Sequence, residues 1–231
     1  MKLSEIVYEF SHLFFPNCCV ICGTKLLSPE EGVCLECLYK LPKTNDFKEV
    51  DNSTETLLAG RFPFERAASF CEFSKEGMFQ SIIHHIKYNH REKLGVAMGR
   101  LFGQDLLESD FICSIDVIVP VPLHPKKQRE RGYNQSERIA EGFSEVTAIP
   151  ISRDNLVRIV YNPTQTRLSK TQRWENVKNI FKVTNPSEFS EKHILLVDDV
   201  VTTGSTLEAC AIALGKCSNI KISVATLARV L

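Results

Sequence analysis

Asp198 and Asp199 stand side by side, directly after the apolar run Ile194-Leu-Leu-Val197 and directly before Val200-Val201-Thr202-Thr203-Gly204-Ser205-Thr206. The apolar run predicts a strand buried on both faces. The two carboxylates then fall at its carboxyl end, the edge at which open α/β sheets bind ligands. The turn that follows is rich in hydroxyls and free backbone N–H groups, and Gly204 permits a backbone conformation that a residue with a Cβ resists. Leu207, Ala211 and Leu214 recur at helical spacing, so this turn opens a helix. Such an N-terminus binds a phosphate dianion without a lysine. The adjacent acids would repel that phosphate, so they suit the hydroxyls of a sugar or a cation beside it. Phosphate and sugar hydroxyls at one strand end describe a ribose 5-phosphate. A Walker-type phosphate loop is excluded, because the chain contains no Gly-Lys-Ser/Thr.

The order apolar strand, Asp-Asp, Val-Val, Thr-Thr-Gly-Ser-Thr resembles the PRPP-binding signature of the type I phosphoribosyltransferases. The resemblance implies that Asp198 and Asp199 are catalytic and hold the ribose hydroxyls. It also places Val200, Val201, Thr202, Thr203, Gly204, Ser205 and Thr206 around PRPP, with Mg²⁺ accompanying the pyrophosphate. The plain alternative is a buried strand ending in an acidic turn and a capped helix.

A second set of chemistry-bearing residues lies near the N-terminus. Cys19-x-x-Cys22-Gly23 and Cys34-x-x-Cys37 are two pairs that can each present two thiolates to one cation. Four sulfurs brought together this way make a closed tetrahedral zinc site, structural because no position stays open. The segment is too short for a core of its own, so Zn²⁺ would supply its folding energy, on the order of 10 kcal/mol. Redox chemistry is the competing reading of a Cys-x-x-Cys pair, but one pair would suffice for it, and the strand–helix context is missing. Cys18 abuts Cys19 and could replace it as ligand, although the spacing to Cys22 favours Cys19. Cys71, Cys113, Cys210 and Cys217 read as buried thiols.

Phe15-Pro16-x-x-Cys19-x-x-Cys22-Gly23 and Cys34-x-x-Cys37-x-x-x-Leu41-Pro42, joined to the acid-pair signature, resemble the ComF family over nearly the whole chain. Further residues follow from that resemblance. Val117-Ile-Val-Pro120-Val-Pro122-Leu123 matches the pyrophosphate loop of amidophosphoribosyltransferases, whose rigid turn fixes backbone N–H groups. Arg131-Gly132-Tyr133-Asn134-Gln135 matches the family's Arg-Gly-aromatic-Asn-Gln, which singles out Arg131, Asn134 and Gln135. Lys87 matches another family lysine. Thr164-Gln165-Thr166, Arg173 and Asn176 match a loop that folds over PRPP in related transferases, with Gln165 and Arg173 reaching the pyrophosphate. His84, His85 and His90 read as surface or packing histidines.

These residues need a scaffold. Strand patterns near 67–73, 115–120, 152–158 and 220–227, together with the signature strand, alternate with helices near 76–88, 91–107, 134–147, 170–178 and after Ser205. That alternation implies an α/β fold with a parallel, doubly covered sheet, here of the phosphoribosyltransferase type. The expected division is residues 1–45 for an N-terminal helix (4–14) and the four-cysteine zinc module, 46–59 for a polar linker, and 60–231 for the phosphoribosyltransferase-type domain.

At 43% apolar and 24% charged residues the chain has an ordinary globular composition. Lys+Arg and Asp+Glu are both 28, so net charge offers no general affinity for nucleic acid or anionic membranes. No signal peptide or membrane-length apolar run is evident, which, with nine cysteines in that context, indicates a cytoplasmic protein. Two functions are consistent with these residues. One is a PRPP-dependent transferase, acceptor unknown, serving DNA uptake in natural competence or nucleotide metabolism. The other is a non-catalytic adaptor that senses PRPP or nucleotides, or handles single-stranded DNA or DNA-uptake and recombination proteins. Binding of single-stranded DNA would trace to Lys126–Arg131 and the zinc module.

Overall fold

The computed structural model describes residues 17–27, 30–88, 91–161 and 180–230. The helices expected over 4–14 and near 170–178, together with His90, Gln165 and Arg173, lie outside the described residues. Four parallel strands form the central sheet: β1 (Ala67–Phe73), β2 (Val117–Pro120), β5 (His193–Val201) and β6 (Lys221–Val230), in spatial order β1-β6-β5-β2. Beyond β2 a single parallel bridge, Ile118 with Ile151, marks a vestigial fifth strand. The strand expected over 152–158 does not join this sheet. Its residues Leu156–Arg158 (β3) pair antiparallel with Phe181–Val183 (β4) in a separate two-stranded ribbon.

The connections explain where the ligand edge lies. After β2 the chain runs outward through α5 (Pro125–Arg131) and α6 (Gln135–Thr147) to Ile151, whereas after β5 it runs through α7 (Ser205–Leu214) to β6 on the opposite side. Right-handed crossovers in opposite directions put α6 and α7 on opposite faces and leave a crevice between the carboxyl ends of β2 and β5, the topological switch point. Alternation along β5 matches this arrangement. Leu195 and Val197 join the core with Ile139 and Phe143 of α6, whereas Ile194 and Leu196 join the core with Leu207 and Leu214 of α7. Burial on both faces is why this strand reads as an unbroken apolar run.

Helix α6 crosses α4 (Glu92–Leu107) in backbone contact. A Cβ built on Gly99 would lie 2.1 Å from the Ile139 carbonyl oxygen, and one on Gly142 would lie 2.1 Å from that of Val96. No side-chain rearrangement relieves a clash with backbone, so Gly142→Ala must force the helices apart. We expect it to destabilise the fold by about 3 kcal/mol, the upper range for overpacking. Because α6 begins beside the acid pair, ligand affinity should fall with it. An unchanged urea midpoint would contradict the close crossing.

The stretch read as a linker is built into the body. Asp46–Lys48 forms a 3-10 turn and Ser53–Leu58 forms α2, opened by a capping box between Asn52 and Glu55. The Asn52 side-chain amide donates to the carbonyls of Asp46, Glu49 and Ala67, and Leu58 is fully buried. The polar composition that suggested a linker instead satisfies backbone groups beside β1. The cysteine segment likewise has no separate core. Cys19, Val20, Val33, Cys34, Cys37 and Leu41 share one cluster with Phe70 and Phe79.

Candidate functional site

Strand β2 ends at Pro120, where it pairs with Val197, so β5 runs on through Asp198 and Asp199 with that flank open. The Val121 N–H donates to the Val197 carbonyl, which ties the Pro122-Leu123 turn to the acid pair, and both turn residues are half-buried. Both acids are buried. The N-terminus of α6 is aimed at them. Ser136 Oγ donates to Asp198 Oδ1 at 3.0 Å, an oxygen that also accepts the Asp199 N–H at 2.9 Å. Gln135 Nε2 donates to Asp199 Oδ2 at 3.0 Å, and Lys87 Nζ at the end of α3 (Met78–Tyr88) lies 3.0 Å from the same oxygen. One oxygen of each carboxylate is thus held by the protein. The other, Asp198 Oδ2 and Asp199 Oδ1, accepts nothing among the described residues. Two open acceptors side by side suit a vicinal diol.

Burial, and then the neighbouring charge of Asp199, push the Asp198 carboxyl up to about 7, against the opposing pull of its hydrogen bonds and Lys87. This acid therefore titrates near neutrality, as groups at functional sites often do.

The hydroxyl turn follows as expected. Thr202, Thr203, Ser205 and Thr206 are exposed, and Gly204 is the N-cap of α7 with φ of 76°. Val201 is buried in the core and Val200 is half-buried, so Val201 can serve a ligand only through its backbone. Behind the turn stands Arg61, from the segment after α2. A Cβ on Gly204 would meet Leu58 at 2.7 Å and the Arg61 side chain at 3.0 Å, and Arg61 Nη1 lies 3.2 Å from Glu208 Oε2 in the first turn of α7. Arg61 offsets that acid at a helix end that otherwise favours anions. Sequence reasoning missed both Arg61 and Ser136, since neither stands in a signature of its own.

Asn134 caps α6 by accepting the Ser136 N–H and donates from Nδ2 to the Val121 carbonyl, so it ties the start of α6 to the residue before the Pro122-Leu123 turn. Arg131 ends α5, its guanidinium 5.4 Å from the Tyr88 ring centroid. Tyr133 is buried, and its hydroxyl donates to the Ile86 carbonyl, so it is no stacking platform for nucleic acid. His84 is exposed beside Tyr88 and His85 bonds the Ser81 carbonyl, consistent with surface and packing roles.

The sulfurs of Cys19, Cys22, Cys34 and Cys37 lie within 4.8 Å of one another, with Cys22 and Cys34 at 3.7 Å. A tetrahedral Zn²⁺ with bonds of about 2.3 Å needs sulfurs roughly 3.8 Å apart, so the donor set fits. Cys18 forms an antiparallel backbone bridge with Lys25 and is not part of this group of sulfurs. Gly23, at φ of 74°, turns the first pair back so that its N–H reaches the Cys19 carbonyl. Cys22, beside the Thr24 hydroxyl and N–H, is held at about 6, whereas burial pushes Cys37 up. Of the remaining thiols Cys71, Cys210 and Cys217 are buried as expected. Cys113 is exposed, because it caps a 3-10 turn whose apolar side is met by Phe111 and Ile112.

Residues 136–231 match the family model of the phosphoribosyl transferase domain. The chain is 38% identical over 115 residues to the Competence protein F of Haemophilus influenzae, covering 49% of this chain and 50% of that one. It is 26% identical to the Competence protein ComFC of Bacillus subtilis, covering 84% of each. Over these spans the chain is similar to competence proteins. It is also 27% identical to the DNA utilization protein YhgH of Salmonella typhimurium, over 86% of this chain and 91% of that one. The matched domain begins at Ser136 and contains both acids and the hydroxyl turn. Lys87 and Arg61 reach the same site from outside that match. Among the described residues no helix is long and apolar enough to cross a membrane.

Proposed function

We propose that the crevice between β2 and β5 binds PRPP, or another ribose 5-phosphate, and transfers its phosphoribosyl group to an acceptor nitrogen. The observation that carries this reading is the pair of open carboxylate oxygens, one from each acid, beside the hydroxyl-rich N-terminus of α7. The 5-phosphate takes the N–H groups and hydroxyls of Thr202–Thr206, with Arg61 behind them, and the diol donates to Asp198 and Asp199. Gripping both ends of the sugar fixes C1. The bond from C1 to pyrophosphate breaks with its electron pair leaving on pyrophosphate, and the acceptor nitrogen forms the new bond to C1. Negative charge on the paired acids favours the cationic sugar of that transition state. Mg²⁺, when bound with PRPP, would neutralise the leaving pyrophosphate; the open oxygens of Asp198 and Asp199 are the hard donors available nearby. Pyrophosphate release from Mg–PRPP in the presence of a panel of nucleobases tests turnover.

The phosphate subsite has its own expected result. Arg61→Gln and Thr203→Val should each weaken ribose 5-phosphate about tenfold, consistent with a charge-assisted hydrogen bond of about 1.5–3 kcal/mol. Calorimetry finding both variants equal to wild type would place the phosphate elsewhere.

A second reading, a DNA-handling adaptor, draws on the names of the relatives and on the cation–aromatic pairs along α5. Lys126 Nζ lies 4.8 Å from the Tyr161 ring centroid, and Arg131 faces the exposed Tyr88. Aromatic rings among cations suit single-stranded nucleic acid, with steep loss of affinity in salt. Titration with labelled single-stranded DNA at two salt concentrations, with and without Mg–PRPP, separates the readings. PRPP-sensitive DNA binding without pyrophosphate release would favour the adaptor.

A further inference from the structure

Gln135 is 5% exposed, and its amide is only half used. Nε2 donates to Asp199 Oδ2, whereas Oε1 is sealed from solvent and has no hydrogen-bond partner among the described residues. The orientation is not interchangeable, because Asp199 Oδ2 also receives the Lys87 ammonium and can only accept. Buried acceptors without a donor are rare, and one beside an acid pair calls for an explanation. The neighbouring side-chain amide at this end of α6 is satisfied. Asn134 accepts the Ser136 N–H and donates to the Val121 carbonyl.

We propose that Gln135 is a specificity-determining residue whose Oε1 accepts a hydrogen bond from one hydroxyl of the bound sugar, adding a third acceptor to the two open carboxylate oxygens. This inference rests on the reading of the crevice as a ribose 5-phosphate site. Lys87 is the group that gives way. Its side chain is 23% exposed, it shares Asp199 Oδ2 with the Gln135 amide, and it ends a long flexible stem. An anionic ligand draws the ammonium off Asp199, and the Gln135 amide that shares this acceptor turns its Oε1 to meet the hydroxyl. A sugar lacking that hydroxyl leaves Oε1 unpaired, so the site discriminates through the vacant bond rather than through fit.

The test is a double-mutant cycle between side chain and ligand hydroxyl. Affinities of ribose 5-phosphate and of its 2-deoxy and 3-deoxy analogues are measured by calorimetry on the full chain, for wild type, Gln135→Met and Lys87→Met. Gln135→Met should weaken ribose 5-phosphate about tenfold yet alter one of the two deoxy analogues by less than threefold. Lys87→Met also strips a partner from Asp199 but keeps the carbonyl, so it should affect all three sugars by one common factor. Equal losses for all three ligands in Gln135→Met would overturn the proposal and leave Gln135 a structural partner of Asp199. If wild type binds none of the three, the ribose 5-phosphate reading itself fails. Should Gln135→Met not fold, ¹⁵N side-chain amide signals of wild type decide. The Gln135 signal should shift with ribose 5-phosphate and with only one deoxy analogue, and identical shifts with all three would overturn the proposal.

Discussion

Asp198→Asn is expected to lose ligand and gain stability together. The Ser136 hydroxyl and the Asp199 N–H occupy Asp198 Oδ1, so asparagine keeps its carbonyl there and turns an NH₂ toward the crevice. A donor then faces a sugar hydroxyl that must itself donate, and PRPP or ribose 5-phosphate should bind about a hundredfold more weakly, the effect of one lost charge-assisted bond with a buried group left unpaired. The stability change runs the other way. Folding raises this carboxyl from 3.8 to about 7, chiefly by burial. A raised acid contributes stability at pH below its unfolded value and loses it as pH rises through its folded value. In wild type that loss accumulates between about pH 4 and 7 and is complete at pH 8, where it amounts to a few kcal/mol on the order of 1.4 kcal/mol per pH unit. Asparagine removes the ionisation, so urea unfolding should show the variant more stable than wild type at pH 8, with the difference shrinking toward pH 5. A variant less stable at pH 8, or a gain independent of pH, would mean that Asp198 is not held as a strained buried acid. Strain stored in this way is common where binding depends on it.

The double variant Cys34→Ser/Cys37→Ser should carry no zinc, whereas elemental analysis of the natural protein should find one ion per chain. Its effect on stability should reach far beyond the module. Val20, Cys34 and Cys37 share the core of Phe70 and Phe79, Val20 N–H donates to the Gly32 carbonyl, and Arg91 reaches the Cys18 carbonyl at 3.3 Å. Loss of the metal removes folding energy on the order of 10 kcal/mol from a segment with no core of its own and uncovers one end of the body. We expect a single cooperative transition lowered by several kcal/mol rather than a separate early transition of an independent module. Retention of zinc in the variant would refute the four-cysteine assignment, and two resolved transitions would refute the shared core.

What this sequence determined by itself was local. Four apolar residues and two acids mark a strand buried on both faces and its ligand edge, because alternation and burial leave their trace in adjacent positions. The two cysteine pairs at fixed spacing likewise announce a tetrahedral donor set, and Gly204 announces a left-handed turn. The strands β1, β2 and β6 and the helices α3, α4, α6 and α7 follow from the same short-range periodicity. The family resemblance had already singled out Gln135 and Lys87; only the tertiary structure brought in Ser136 and Arg61 and set how these four side chains meet the site. Ser136 and Gln135 reach the acids from 62 and 64 positions away in the chain, and Lys87 and Arg61 arrive from α3 and from the segment after α2. No periodicity encodes such encounters, because they join elements far apart in the chain. Residues 46–59 looked like a linker for a related reason. Their polar side chains satisfy buried backbone groups of a neighbouring strand, and composition cannot distinguish a hydrogen bond to protein from one to water.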